Sequence, residues 1–165
     1  MDRELYKERV KERSNEELAE WYCSLNIRLD DPRNSKKVED LKFVIKLIQK
    51  EWAQRLDQDN QEFLLHPEIG LLKVMGYTVG SEGLKESARR RILRDVLREH
   101  LPLVGSPGYM NEWGDPRSEK RFNKTKNCLL GFLNDPMRKN LNVALKDWQA
   151  DLDWLVDNKD ELKLN

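Results

Sequence analysis

The chain has 165 residues, of which 38% are hydrophobic and 36% charged, with 30 Lys and Arg against 30 Asp and Glu and a mean hydropathy of −0.83. That length suits one compact domain or two small ones, and five tryptophans with a strong apolar period argue against disorder. The balanced charge excludes a protein that coats a polyanion along its whole surface. No apolar run approaches the roughly 18 residues of a membrane span, and the opening MDRELYKERVKER lacks the apolar core of a signal peptide, so a cytoplasmic protein with no membrane partner is expected.

In chain order, Ser14 and Glu17 form an S-x-x-E capping box, and Leu18, Trp21, Tyr22, Leu25 and Leu29 follow at helical spacing. Asp31 and Pro32 break and restart the chain. Val38, Leu41, Val44, Ile45, Ile48, Trp52 and Leu56 then make the longest amphipathic stripe, and the two helices are expected to form an antiparallel hairpin. A further helix is expected to begin around His66 and Pro67, run through Leu71, Leu72 and Met75, and stop at Gly76. Residues 77–80 read as an extended connector at most. Leu84, Ala88, Ile92, Val96 and Leu101 recur along a basic helix that ends before Pro102. Asp115 with Pro116 reads as the start of a helix carrying Phe122, Leu129, Phe132 and Leu133. Leu141, Leu145, Trp148, Leu152 and Leu155 line a last one. Asp followed by Pro recurs at 31, 115 and 135, a pairing that suits Asp as N-cap and Pro as first helical residue. The expected fold class is all-α, an N-terminal helical hairpin over residues 1–60 and a C-terminal multi-helix module over 61–165.

Charge is distributed unevenly. Residues 1–80 carry 14 basic against 16 acidic side chains, residues 81–139 carry 13 against 8, and residues 140–165 carry 3 against 6. In the basic middle, Arg90, Arg94 and Arg98 form one row opposite the apolar stripe, with Arg91 beside it and Lys85 and Arg89 nearer the apolar edge. Arginine favours bidentate phosphate contacts, and a row spaced by a helical turn can follow a backbone. The bland alternative is a solvated face laced by i,i+4 pairs such as Glu86 with Arg90 and Arg91 with Asp95. Lys120 and Lys124, with Asn123 and Asn127, repeat the outward pattern on the next helix.

Between these helices, Ser106 and Pro107 read as N-cap and first residue, and Gly114 as a stop, so that PGYMNEW becomes a short helix with Tyr109, Met110 and Trp113 on one face. Such a face either plugs the space between its neighbours or presents Tyr109 and Trp113 for stacking on a base or gripping a partner. Trp154 lies away from the last helix's apolar stripe and is a second partner-binding candidate beside Trp113.

Enzymatic signatures are thin. No P-loop, H-E-x-x-H, paired C-x-x-C or nucleophile elbow is present, and Cys23 and Cys128 form neither a disulfide framework nor a zinc knuckle. His66 reads as a capping or packing residue, and His100 as a helix-end imidazole favoured by the dipole. Asp147, Asp151, Asp153 and Asp157 read as a solvated acidic face, open to pairing with the basic middle, rather than as metal ligands. No catalytic residue, metal or cofactor is expected.

The succession MGYTVG, ARRRIL, YMNEWGDPRSEKRF and ALKDWQADLDWL resembles a C-terminal module of uncharacterised bacterial proteins in which GYxVG, RRxIL, EWGxPxS and W-x-x-D-L segments follow one another. The resemblance covers about residues 71–155, is most specific at 112–118, and implies a self-contained C-terminal unit of bacterial or phage-like origin with no catalytic residues to carry over. The leading expectation is a non-enzymatic accessory that binds nucleic acid, DNA or RNA, through Arg90, Arg91, Arg94, Arg98, Lys120 and Lys124 beside Tyr109 and Trp113. The alternative is an adaptor or inhibitor that docks on a larger protein.

Overall fold

The computed structural model of the protein describes residues 2–58, 61–64 and 70–162. These residues form eight α-helices and two 3-10 turns, with no strand among them, so the fold is all-α. No described helix is long and apolar enough to cross a membrane.

Local signals start most of the elements. Asp2 accepts the backbone N–H groups of Glu4 and Leu5 to open α1 (Arg3–Glu12). The capping box forms in full at Ser14 and Glu17 and starts α2 (Asn15–Leu29). Asp31 caps a 3-10 turn over Pro32–Lys37, which runs straight into α3 (Val38–Leu56). The expected stripe of α3 is buried at Leu41, Val44, Ile45, Ile48 and Trp52, and it meets Leu18, Ala19, Tyr22 and Leu25 of α2. The rings of Tyr22 and Trp52 sit 5.4 Å apart. Burying each of these large apolar side chains stabilises the fold by about 1.5–3 kcal/mol before entropy is counted.

Packing groups the described residues into two compact units. One comprises the chain up to Met75 together with His100–Met110, and the other comprises Gly76–Glu99 together with residues 111–162. The sequence places its boundary at residue 60, whereas residues 61–64 and the later stretch 100–110 pack with α1, α2 and α3. Leu64 and Val104 make an isolated parallel bridge, with the Leu64 N–H donating to Leu103 at 2.8 Å and Gly105 donating back to Leu64 at 2.9 Å. The expected helix start at His66 and Pro67 lies outside the described residues. Its described part is the single turn α4 (Leu71–Val74), closed at Gly76 by a left-handed φ of 82°.

The first unit also buries a polar hub that local sequence signals do not announce. Arg55 donates from Nε to Glu51, from Nη1 to Asn15, and from Nη2 to the carbonyls of Arg13 and Lys11. One guanidinium thus ties the α1–α2 junction to the end of α3. Asn15, itself buried, donates to the Glu62 carbonyl at 2.6 Å.

In the second unit, residues 77–85 form a loop rather than an extended connector. It doubles back so tightly that a Cβ on Gly83 would stand 2.4 Å from the Val79 carbonyl carbon, a space only glycine leaves open. Helices α5 (Glu86–Arg98), α7 (Glu119–Asn134) and α8 (Asn142–Asp157) follow, α7 and α8 packing on each other and α5 on both. Their shared core includes Ile92, Leu93, Val96, Leu97, Phe122, Leu129, Trp148 and Leu155. Helix α7 starts three residues later than Asp115 and Pro116 predict. Arg117 adopts a left-handed φ of 63° and Ser118 takes the cap, accepting the Arg121 N–H. At Asp135 the expectation holds with a shorter product, a 3-10 turn over Pro136–Arg138.

Candidate nucleic-acid interface

The short helix expected between the two basic helices forms: α6 (Pro107–Trp113) begins with the Tyr109 N–H donating to Ser106 Oγ at 3.2 Å and stops at Gly114, whose φ is 71°. The boundary between the units falls within it, after Met110. Its aromatic side chains are used for packing. Tyr109 Oη accepts the Leu71 N–H at 2.9 Å, and the Met110 sulfur accepts the Val104 N–H at 3.3 Å. Trp113 is 1% exposed. Trp113 is therefore neither a stacking surface nor presented to a partner, because it is buried, and Tyr109 is half-buried with its hydroxyl tied to the Leu71 backbone, so the pair does not form the expected platform.

On α5, Ala88, Ile92, Leu93, Val96 and Leu97 are buried. Leu93 and Leu97 widen the buried arc beyond the predicted stripe, and Arg89 falls inside that arc, 4% exposed. Its Nε donates to Asp151 at 2.7 Å, its Nη1 to the Leu84 carbonyl at 2.9 Å, and Asp147 lies 3.2 Å from Nη2. Asp151 has no exposed surface and accepts a second hydrogen bond from Tyr77 Oη at 2.7 Å, while Asp147 accepts the Gly80 N–H at 2.9 Å. Burial works against the Arg89 charge, but the Asp151 hydrogen bond and the two carboxylate charges outweigh it and raise its pKa. Burial, reinforced by the Asp151 charge, pushes the Tyr77 hydroxyl well above its ordinary range. Asp147 and Asp151 thus pair with the basic middle, as the sequence allowed, and form a clamp on α5 rather than a solvated face, whereas Asp153 and Asp157 on the same helix are exposed.

The outward arginines divide by what neutralises them. Arg90 is held by Glu86 at 2.7 Å, with Asp151 at 3.8 Å. Arg91 is half-buried and engaged with its surroundings. Arg94 is exposed and Arg98 half-buried, and among the described residues neither has a carboxylate within ion-pair distance. Four residues apart, they stand about 6 Å along the helix axis. Trp154 of α8 lies beside this row, half-buried, with the guanidinium carbons of Arg90 and Arg94 at 5.8 and 5.6 Å from its ring centroid.

On α7, Lys120 is exposed, and its stem lies where a Cβ on Gly114 would come within 3.0–3.1 Å. Lys124 is bound to Glu112, 5.9 Å from the centroid of the Trp113 ring. The Lys124 hydrogen bond, then its charge, hold the Glu112 carboxyl below the usual range. Arg121, which sequence reading passed over, is 4% exposed and caps the end of α5 by donating to the carbonyls of Val96 and Glu99. Burial lowers its pKa to about 10, with Asp115 partly opposing the shift. His100 is exposed, and His66 lies outside the described residues.

No protein-family model, no curated protein and no solved structure matches the chain.

Proposed function

We propose that the protein is a non-enzymatic accessory that binds nucleic acid through the outward face of α5, with Arg94 and Arg98 as the primary phosphate contacts. Arg91 and Lys120 add positive charge, whereas Arg90 and Lys124 are already held by Glu86 and Glu112 and would have to exchange them to join the site. The observation that supports the reading is the pair of guanidinium groups, one helical turn apart, that have no carboxylate partner among the described residues, in a segment with five arginines against two acids over residues 86–98. A face retained only for solubility is more commonly laced with i,i+4 partners, as Arg90 is here by Glu86. Phosphate oxygens are the ligands that two adjacent free forks fit best.

A titration of labelled DNA and RNA across a salt series tests it. With about four phosphates engaged, log K should fall against log salt with a slope of about −3 to −4. Absence of binding to single- or double-stranded DNA or RNA at low salt overturns the proposal. The protein-adaptor reading would then rest on the apolar run after α7, where Met137 is 90% exposed and Leu141 and Val143 are each about half exposed.

A further inference from the structure

We infer that the nucleic acid is single-stranded and that Trp154 stacks on one of its bases, an inference that rests on the nucleic-acid reading above and narrows it. The ring is the one aromatic among the sequence candidates that reaches the surface beside the free arginines, since Trp113 is buried and Tyr109 is committed to the Leu71 N–H. It projects from the flank of α8 that carries Asp147 and Asp151, and the Asp151–Arg89 clamp fixes that flank against α5. The ring therefore sits beside the arginine row with a defined height and angle instead of swinging on a loop.

A duplex offers such a ring little. Its bases are stacked on one another and its exterior is sugar and phosphate, which the arginines alone can engage. A single strand exposes base faces within reach of its own phosphates, and an indole flanked by cations answers both at once. Arg90 is retained by Glu86 and Asp151 and stays where it is. Arg94 is exposed and has no ion-pair partner among the described residues, so it exchanges its contact with the ring for the phosphate next to the stacked base. Arg98 takes the following phosphate one turn along α5.

Three labelled ligands of equal length separate the possibilities: a mixed-sequence single strand, the corresponding duplex, and an abasic single strand with the same phosphates and no bases. The single strand should bind at least about tenfold more tightly than either of the others, the lower part of the range a stacked base supplies. Trp154→Ala should weaken single-strand binding by roughly 5- to 150-fold and erase the preference, while Trp154→Phe retains most of both. Equal binding of all three ligands by the unaltered protein overturns the stacking inference and leaves the nucleic-acid reading standing. No binding of any of them overturns both. A single-strand preference that survives in a folded Trp154→Ala protein, checked by circular dichroism, overturns the assignment to Trp154.

Discussion

Each unit carries a cluster of arginines against aromatic rings, and the two clusters differ in how their cations are neutralised. In the first, Arg13 lies 4.5 Å from the Trp21 ring centroid, Trp21 stacks on Tyr6 at 6.1 Å with 28° between planes, and Arg9 lies 5.9 Å beyond on Tyr6. Five basic side chains there face seven acidic ones over residues 2–20. In the second, Arg90 and Arg94 of α5, a helix with five arginines against two acids, share the single ring of Trp154 on α8, which carries four aspartates against one lysine. Cation–π geometry by itself marks no site. The first ladder closes on itself, ring to ring, and joins α1 to α2, whereas the second leaves one ring beside Arg94, which among the described residues has no carboxylate within ion-pair distance, with Arg98 in the same state one turn on.

The most forceful way to break this contrast is to release the arginine that the second cluster withholds. Asp151→Ala would leave Arg89 buried with Asp147 as its remaining carboxylate, and should cost about 3–5 kcal/mol in urea unfolding. A stability within experimental error of the parent would mean that the clamp does not hold α8 to α5. Next in size is the loss of the free forks. Arg94→Glu with Arg98→Glu should weaken binding of a single strand at low salt by about 100-fold with the helical circular dichroism retained, since two phosphate contacts become repulsions. Arg90 is unsuitable for that test, because a carboxylate there would face Asp151. The smallest effect sharpens the contrast from the other side. Trp21→Ala should destabilise the first unit by about 2 kcal/mol, less than a fully buried tryptophan costs, and leave affinity unchanged in the same anisotropy assay. A drop in affinity equal to that of Trp154→Ala would show that an unneutralised arginine beside the ring does not separate the two clusters.

What was legible in the sequence was local. The box at Ser14 and Glu17 and the Asp caps at 31 and 135 use side chains within three residues of the backbone they satisfy, so a short window contains the whole interaction. Asp115 misled because the same dipeptide is also compatible with a turn, and Ser118 offered a competing cap. Asp151 was readable and was misread. It lies about 20° from Ala144 and about 40° from Leu155 around the helix, well within the apolar arc, which for a carboxylate signals a buried partner rather than solvent. Arg89 follows the same logic, about 20° from Val96 and about 40° from Leu93, once Leu93 and Leu97 are counted in the stripe. Arg55, by contrast, reaches partners more than forty residues away, and no period in its own helix predicts them. The sequence left packing and presentation open for the face of Tyr109 and Met110, because the acceptor roles of the hydroxyl and the sulfur depend on Leu71 and Val104, one remote and one across a turn.

The first unit's dependence on residues 100–110 bears on how the chain is made. During synthesis the N-terminal helices emerge first, yet the strand-like pairing of Leu64 with Val104 and the hydrogen bond from Leu71 to Tyr109 wait for chain that follows the whole of α5. The helices around Trp52 can collapse early on local contacts, but the pairings at Leu64 and Leu71 stay open until residues 100–110 have left the ribosome, by which time α5, which precedes them in the chain, has emerged as well. A stop after residue 75 would therefore release not a finished domain but a nascent one with the backbone at Leu64 and Leu71 unsatisfied. The two units are completed in an interleaved order, and the first lacks its partners for Leu64 and Leu71 for as long as residues 100–110 remain within the ribosome.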